Sequence, residues 1–60
     1  MTAEDFRAWL ESMGWSQREV ARRLDLSRNT VAKYLEEGAP VAIGYACAAL
    51  ARGLAPWVRG

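Results

Sequence analysis

Histidine is absent from this 60-residue sequence, and cysteine occurs once, at Cys47. A single thiol cannot close an internal disulfide. Without histidine, the usual zinc cages of cysteine and histidine have no ligand set either. No apolar run approaches the roughly 20 residues that a bilayer-spanning helix needs. The opening stretch MTAEDFRAWLESMG carries acids early and lacks the basic-then-apolar order of a secretory leader. The expectation is a cytoplasmic protein with no membrane partner. Paired carboxylates at a plausible site and a glycine-rich phosphate loop are also missing, so neither an enzyme nor a bound cofactor is expected. No internal repeat or low-complexity segment is present.

Length sets a further limit. A chain this short buries only about 60% of the surface it exposes when unfolded. Its core then supplies about 3–5 kcal/mol unless something reinforces it. With disulfide and zinc excluded, self-association is the remaining route, and an oligomer is expected on this ground alone.

The net charge is only +1, but the charge is not spread evenly. Residues 1–15 carry three acids against one arginine. Residues 16–35 carry Arg18, Arg22, Arg23, Arg28 and Lys33 against Glu19 and Asp25. A basic patch of this kind points to a polyanionic partner on one face, although a few arginines more commonly mark a solvated helix.

Helical periodicity accounts for most of the chain. Phe6, Trp9, Leu10 and Met13 recur at the spacing of a single helix face, with Thr2 as a candidate N-cap and Gly14 as a stop. A second helix begins at Ser16. There SQRE has the form of a capping box between Ser16 and Glu19, and Trp15 and Val20 have the spacing of a hydrophobic staple. Val20, Ala21 and Leu24 form its inner side. Ser27 is the expected cap of a third helix, which runs from Arg28 to about Glu36 and is closed by Gly38. Val31 and Leu35 point inward on it, while Arg28, Asn29, Ala32, Lys33 and Glu36 point outward. Two helices joined by about three residues must cross steeply, which is a helix-turn-helix.

The stretch PVAIGYACAALARG predicts a fourth helix, with Pro40 in its first turn and Gly53 as its stop. It has no charge between Pro40 and Ala51. Ile43, Ala46, Cys47 and Leu50 form one stripe, and Val41, Tyr45, Ala48 and Ala49 cover much of the rest. A helix apolar all round is buried on more than one side, and a domain this small can cover only one of them. The other side calls for a second chain, and the tail LAPWVRG offers Trp57 and Val58 as further buried anchors. Trp9, Trp15 and Tyr34 are read as core aromatics, and Cys47 as an inert packing residue.

The pattern Q-x-x-V-A-x-x-L-x-L-S-x-x-T-V-x-x-Y, residues 17–34, resembles the helix-turn-helix of the Cro and cI repressor family of phages. Ala21 is small where the third helix crosses it, and Leu24, Leu26 and Val31 fill the wedge between the two helices. One departure is Asp25, where the family usually has glycine. A positive φ there costs aspartate up to about 1 kcal/mol without abolishing the turn.

The resemblance implies an all-α fold, a small four- to five-helix bundle with a central helix-turn-helix, in one domain spanning residues 1–60. The helix-turn-helix occupies residues 16–37, and the dimerisation helix and tail residues 40–58. It further implies that the third helix enters the DNA major groove, where Arg28, Asn29 and Lys33 read bases. Arginine and lysine suit the guanine edge, and asparagine suits adenine.

Gln17 matches the family's phosphate-contacting glutamine, which also braces the first residue of the recognition helix. Ser16, Arg18, Ser27, Thr30 and Arg22 are the other expected phosphate contacts, with Arg23 adding to the local potential. The alanine-rich P-V-x-I-x-x-A-x-x-A-L helix, in so short a chain, resembles autoregulators encoded beside phage anti-CRISPR genes.

The function expected is that of a dimeric repressor on an inverted-repeat operator of double-stranded DNA, with Val41, Tyr45, Ala48, Ala49, Trp57 and Val58 at the dimer contact. No small-molecule ligand is expected. The competing reading is an antitoxin or adaptor that uses the apolar C-terminal helix to hold a different protein.

Overall fold

A computed structural model describes residues 1–60 and contains four helices: α1 (Ala3–Met13), α2 (Gln17–Leu24), α3 (Arg28–Glu37) and α4 (Val41–Ala51). Three of them start on a hydroxyl cap. The side chains of Thr2, Ser16 and Ser27 accept the backbone N–H of Asp5, Glu19 and Thr30 at 3.0, 3.1 and 3.1 Å. These residues have extended backbones, so each helix begins where a polar side chain satisfies a donor that the first turn leaves unpaired.

The reciprocal capping box occurs at α1, where Asp5 accepts the Thr2 N–H at 3.3 Å, and not at α2 as the SQRE pattern suggested. The Glu19 carboxylate turns instead to Arg22 and Arg23. Two charged guanidinium donors outcompete one neutral amide for the same oxygens.

Every helix contributes to the core. Phe6 and Trp9 come from α1, Val20 and Ala21 from α2, Val31 from α3 and Cys47 from α4. Phe6, Val20 and Val31 are fully enclosed. Helix α3 packs against both α1 and α2 and is the central element. The aromatic side chains interlock, with Phe6 edge-on to Tyr34 at 5.8 Å and Trp9 edge-on to Trp15 at 5.9 Å between ring centroids. The Trp9 indole N–H donates to the Cys47 carbonyl at 3.1 Å, which ties α1 to α4. As expected, Trp9, Trp15 and Tyr34 serve the core.

Two joints set the relative placement of the helices. Between α2 and α3, Asp25 adopts the left-handed conformation (φ 56°, ψ 47°), the only non-glycine residue with positive φ. The N–H of Leu26 then reaches the Ala21 carbonyl at 2.8 Å, which turns the chain sharply into the Ser27 cap.

Between α3 and α4, Gly38 has φ 92°, and a Cβ on it would lie 2.8 Å from the Met1 carbonyl oxygen. Glycine is required here because two backbone segments touch. Ala39 next to it donates its N–H to the Met1 carbonyl at 2.9 Å and accepts the Met1 ammonium at 3.2 Å.

The C-terminal segment departs from expectation. Residues after Gly53 form no fifth helix, and Trp57 and Val58 are 88% and 70% exposed, so neither is a buried anchor within the chain. Leu54, Trp57 and Val58 have helical spacing, but Pro56 lacks a backbone donor and disfavours the helical conformation at Ala55. Leu54 alone is fastened, its N–H bonded to the Ala49 carbonyl at 2.9 Å. Leu54, Ala55 and Pro56 line a hollow of about 180 Å³ with Leu24, Ala46, Ala49 and Leu50. Ala49, expected on the outer face, is therefore half-buried.

No helix is long and apolar enough to cross a membrane.

Candidate nucleic-acid interface

Helix α3 has an inner and an outer face. Val31, Tyr34 and Leu35 face the core, while Arg28, Asn29, Ala32, Lys33 and Glu36 are exposed. A rotation of about 100° per residue puts the exposed set on one stripe. The side chains of Arg28, Asn29 and Lys33 make no hydrogen bond or ion pair within the chain. Nothing in the protein satisfies their donors, so water or an external partner must.

The start of α2 is also open. The backbone N–H groups of Gln17 and Arg18 have no acceptor in the chain, and both side chains are exposed. The expected brace from Gln17 to Arg28 is not formed: Gln17 makes no side-chain hydrogen bond. The Ser16 hydroxyl accepts from Glu19 and keeps its own O–H free to donate. Ser27 and Thr30 share a hydroxyl–hydroxyl bond of 2.8 Å, so the pair retains a single O–H for a partner.

The arginines at the end of α2 are engaged, and sequence reasoning missed this. Arg22 grips Glu19 through both Nη2 (2.6 Å) and Nε (3.3 Å), and Arg23 Nε reaches the same carboxylate at 2.8 Å. The Arg23 guanidinium also lies 4.8 Å from the Trp15 ring centroid. The hydrogen bond from Arg22 is the main cause that holds the Glu19 carboxyl at about 2, with Arg23 next. The same bond raises Arg22 above its ordinary value. The i+3 and i+4 spacing of an acid and two arginines was the available signal.

Arg7 is likewise committed, its Nε donating to the Leu35 carbonyl at 2.9 Å near the end of α3. The basic groups of the helix-turn-helix left without an internal partner are therefore Arg18, Arg28 and Lys33.

On α4, Val41 and Tyr45 are 69% and 74% exposed, and Ala48 is exposed on the same side. Cys47 on the opposite side is 1% exposed, and burial pushes its thiol up to about 11, which keeps it protonated and unreactive near neutral pH.

No curated protein and no solved structure matches the chain. A family model described as helix-turn-helix matches residues 6–44, about two thirds of the sequence, from the core of α1 through the first turn of α4. The matched span contains the open N-terminal turn of α2 and the whole exposed stripe of α3. With that match and that geometry, the chain belongs to the XRE-like helix-turn-helix family of DNA-binding transcription regulators.

Proposed function

We propose that the protein is a transcriptional repressor that binds an inverted-repeat operator as a homodimer, with α3 of each copy in the major groove. The observation that carries this reading is the outer stripe of α3, where Arg28, Asn29 and Lys33 stand exposed and unpartnered beside the open start of α2. In this arrangement Arg28 and Lys33 read guanine edges and Asn29 reads adenine. Ser16, Gln17, Arg18, Ser27 and Thr30 hold flanking phosphates, and the free N–H groups of α2 add a positive dipole end. Arg22 joins them only by leaving Glu19.

The exposed face of α4 supports a second copy as the partner. In a self-complementary contact the residues on the two-fold axis meet their own copies, so a charge there would face a like charge. This face carries no charge from Val41 to Ala51. Antiparallel packing keeps the two copies of Arg52 at opposite ends. Val41, Tyr45 and Ala48 form the centre of the contact, Trp57 and Val58 extend it, and Ala49 lies at its edge. Two such modules span half-sites one DNA turn apart, about 34 Å. The resemblance of α4 to that of short autoregulators suggests an operator over the protein's own promoter.

Sedimentation of the pure chain together with gel shifts on the DNA upstream of its gene tests this reading. A dimer that binds an inverted repeat there is expected. Arg28→Ala should cost about 1–3 kcal/mol and relax preference at one base pair. Tyr45→Glu should give monomers that bind the operator far more weakly. A wild-type chain that is monomeric at operator-saturating concentrations would favour the adaptor reading, in which the face of α4 holds a different protein.

A further inference from the structure

We propose that Glu19 is an internal stand-in for a DNA phosphate, which holds Arg22 and Arg23 in reserve and so limits sequence-independent binding. The inference rests on the DNA-binding reading above.

The contact of Arg22 with Glu19 is two-pronged, Nη2 on Oε2 at 2.6 Å and Nε on Oε1 at 3.3 Å. Guanidinium presents the same fork to the oxygens of a phosphate diester. Arg23 adds a third bond at 2.8 Å, and its guanidinium lies against the Trp15 ring. Both arginines are thus folded back along α2 toward one carboxylate. The three side chains remain open to solvent, at 68%, 44% and 31% exposed for Arg22, Arg23 and Glu19. A phosphate can therefore reach the arginines, but only in competition with Glu19.

The consequence falls unevenly on the two kinds of binding. Sequence-independent association depends on how many cations are free to displace counterions, and each adds about 0.9 to the salt slope. With Arg22 and Arg23 held, the helix-turn-helix offers Arg18, Arg28 and Lys33 to any duplex. Operator binding draws in addition on base contacts that Glu19 does not touch. Glu19 therefore acts as a specificity determinant without contacting a base.

The test measures binding of wild type, Glu19→Gln, Arg22→Gln, Arg18→Ala and the triple variant Glu19→Gln, Arg22→Gln, Arg23→Gln to a mixed-sequence duplex across salt concentrations. Circular dichroism checks each fold. Glu19→Gln is expected to bind about 3- to 10-fold more tightly at low salt, with a slope steeper by about 0.9 for each arginine released, and so by up to about 1.8. The triple variant should lose that gain, and Arg22→Gln alone should change binding less than about 2-fold.

Equal affinity and slope for Glu19→Gln and wild type would overturn the proposal while leaving the DNA-binding reading intact. So would a loss in Arg22→Gln as large as that in Arg18→Ala, a result that needs no Glu19 variant to fold. A wild-type chain that binds no duplex at all would overturn both readings.

Discussion

The indole of Trp9 donates to the carbonyl of Cys47 at 3.1 Å, and this buried bond joins the first helix to the last across the core. Trp9→Phe keeps an aromatic ring in the core but removes the donor and part of the packing. The expected loss is about 1–2 kcal/mol, or a Tm lower by roughly 5–15 °C. Thermal or urea unfolding followed by circular dichroism measures it.

Two glycines should respond to alanine in opposite directions. At Gly38 a new Cβ meets the Met1 carbonyl at 2.8 Å with φ at 92°, so Gly38→Ala should destabilise by about 2–3 kcal/mol. At Gly44, inside α4, the new Cβ makes only ordinary contact with Met1 Cβ at 3.8 Å. There the gain in helix propensity dominates, and Gly44→Ala should stabilise by about 0.5–1 kcal/mol. Urea midpoints of the two variants, measured side by side, decide both signs.

Arg18 is the free cation at the start of α2, and in the proposed function it holds a phosphate. Arg18→Ala should weaken binding to operator and mixed-sequence duplex by a similar factor and lower the salt slope by about 1. Arg28→Ala should instead weaken the operator more than the mixed duplex. A quantitative gel shift at several salt concentrations separates the two signatures.

Glu19 gives a dependence on acid. Its carboxyl is held down from an ordinary 4.5 to about 2, so its contribution to stability is complete above 4.5 and fades as pH falls toward 2. The urea midpoint of wild type should exceed that of Glu19→Gln at neutral pH, and the gap should close through this window. A gap that persisted below pH 2 would show that the advantage does not come from the ionised carboxylate.

Local signals carried most of the fold into view. Ser16, Ser27 and Thr2 could be placed as caps because a cap acts within three residues of itself. Val20, Ala21 and Val31 could be placed in the core because helical spacing reports one face directly. Asp25 was legible as a strained turn because the resemblance marks a glycine at that position.

What escaped was decided by groups distant in the chain or by competition among neighbours. Nothing around Gly38 announces that Met1 lies against it. The SQRE pattern reads as a reciprocal cap until Arg22 and Arg23 are weighed as rival donors for Glu19. Trp57 and Val58 are apolar enough for a core, but Pro56 breaks the short segment that would have to carry them back to it.

The bonds that close this molecule also set the order in which it can assemble. Trp9 to Cys47 and Met1 to Ala39 each join positions 38 apart, whereas α2 and α3 are linked by a three-residue turn. Closing a long loop costs entropy before any contact repays it. A growing chain can therefore pair α2 with α3 early and close α1 onto α3 next, while the Trp9 bond to Cys47 must wait until the ribosome has delivered the final helix. The helix-turn-helix is thus complete before the frame that steadies it.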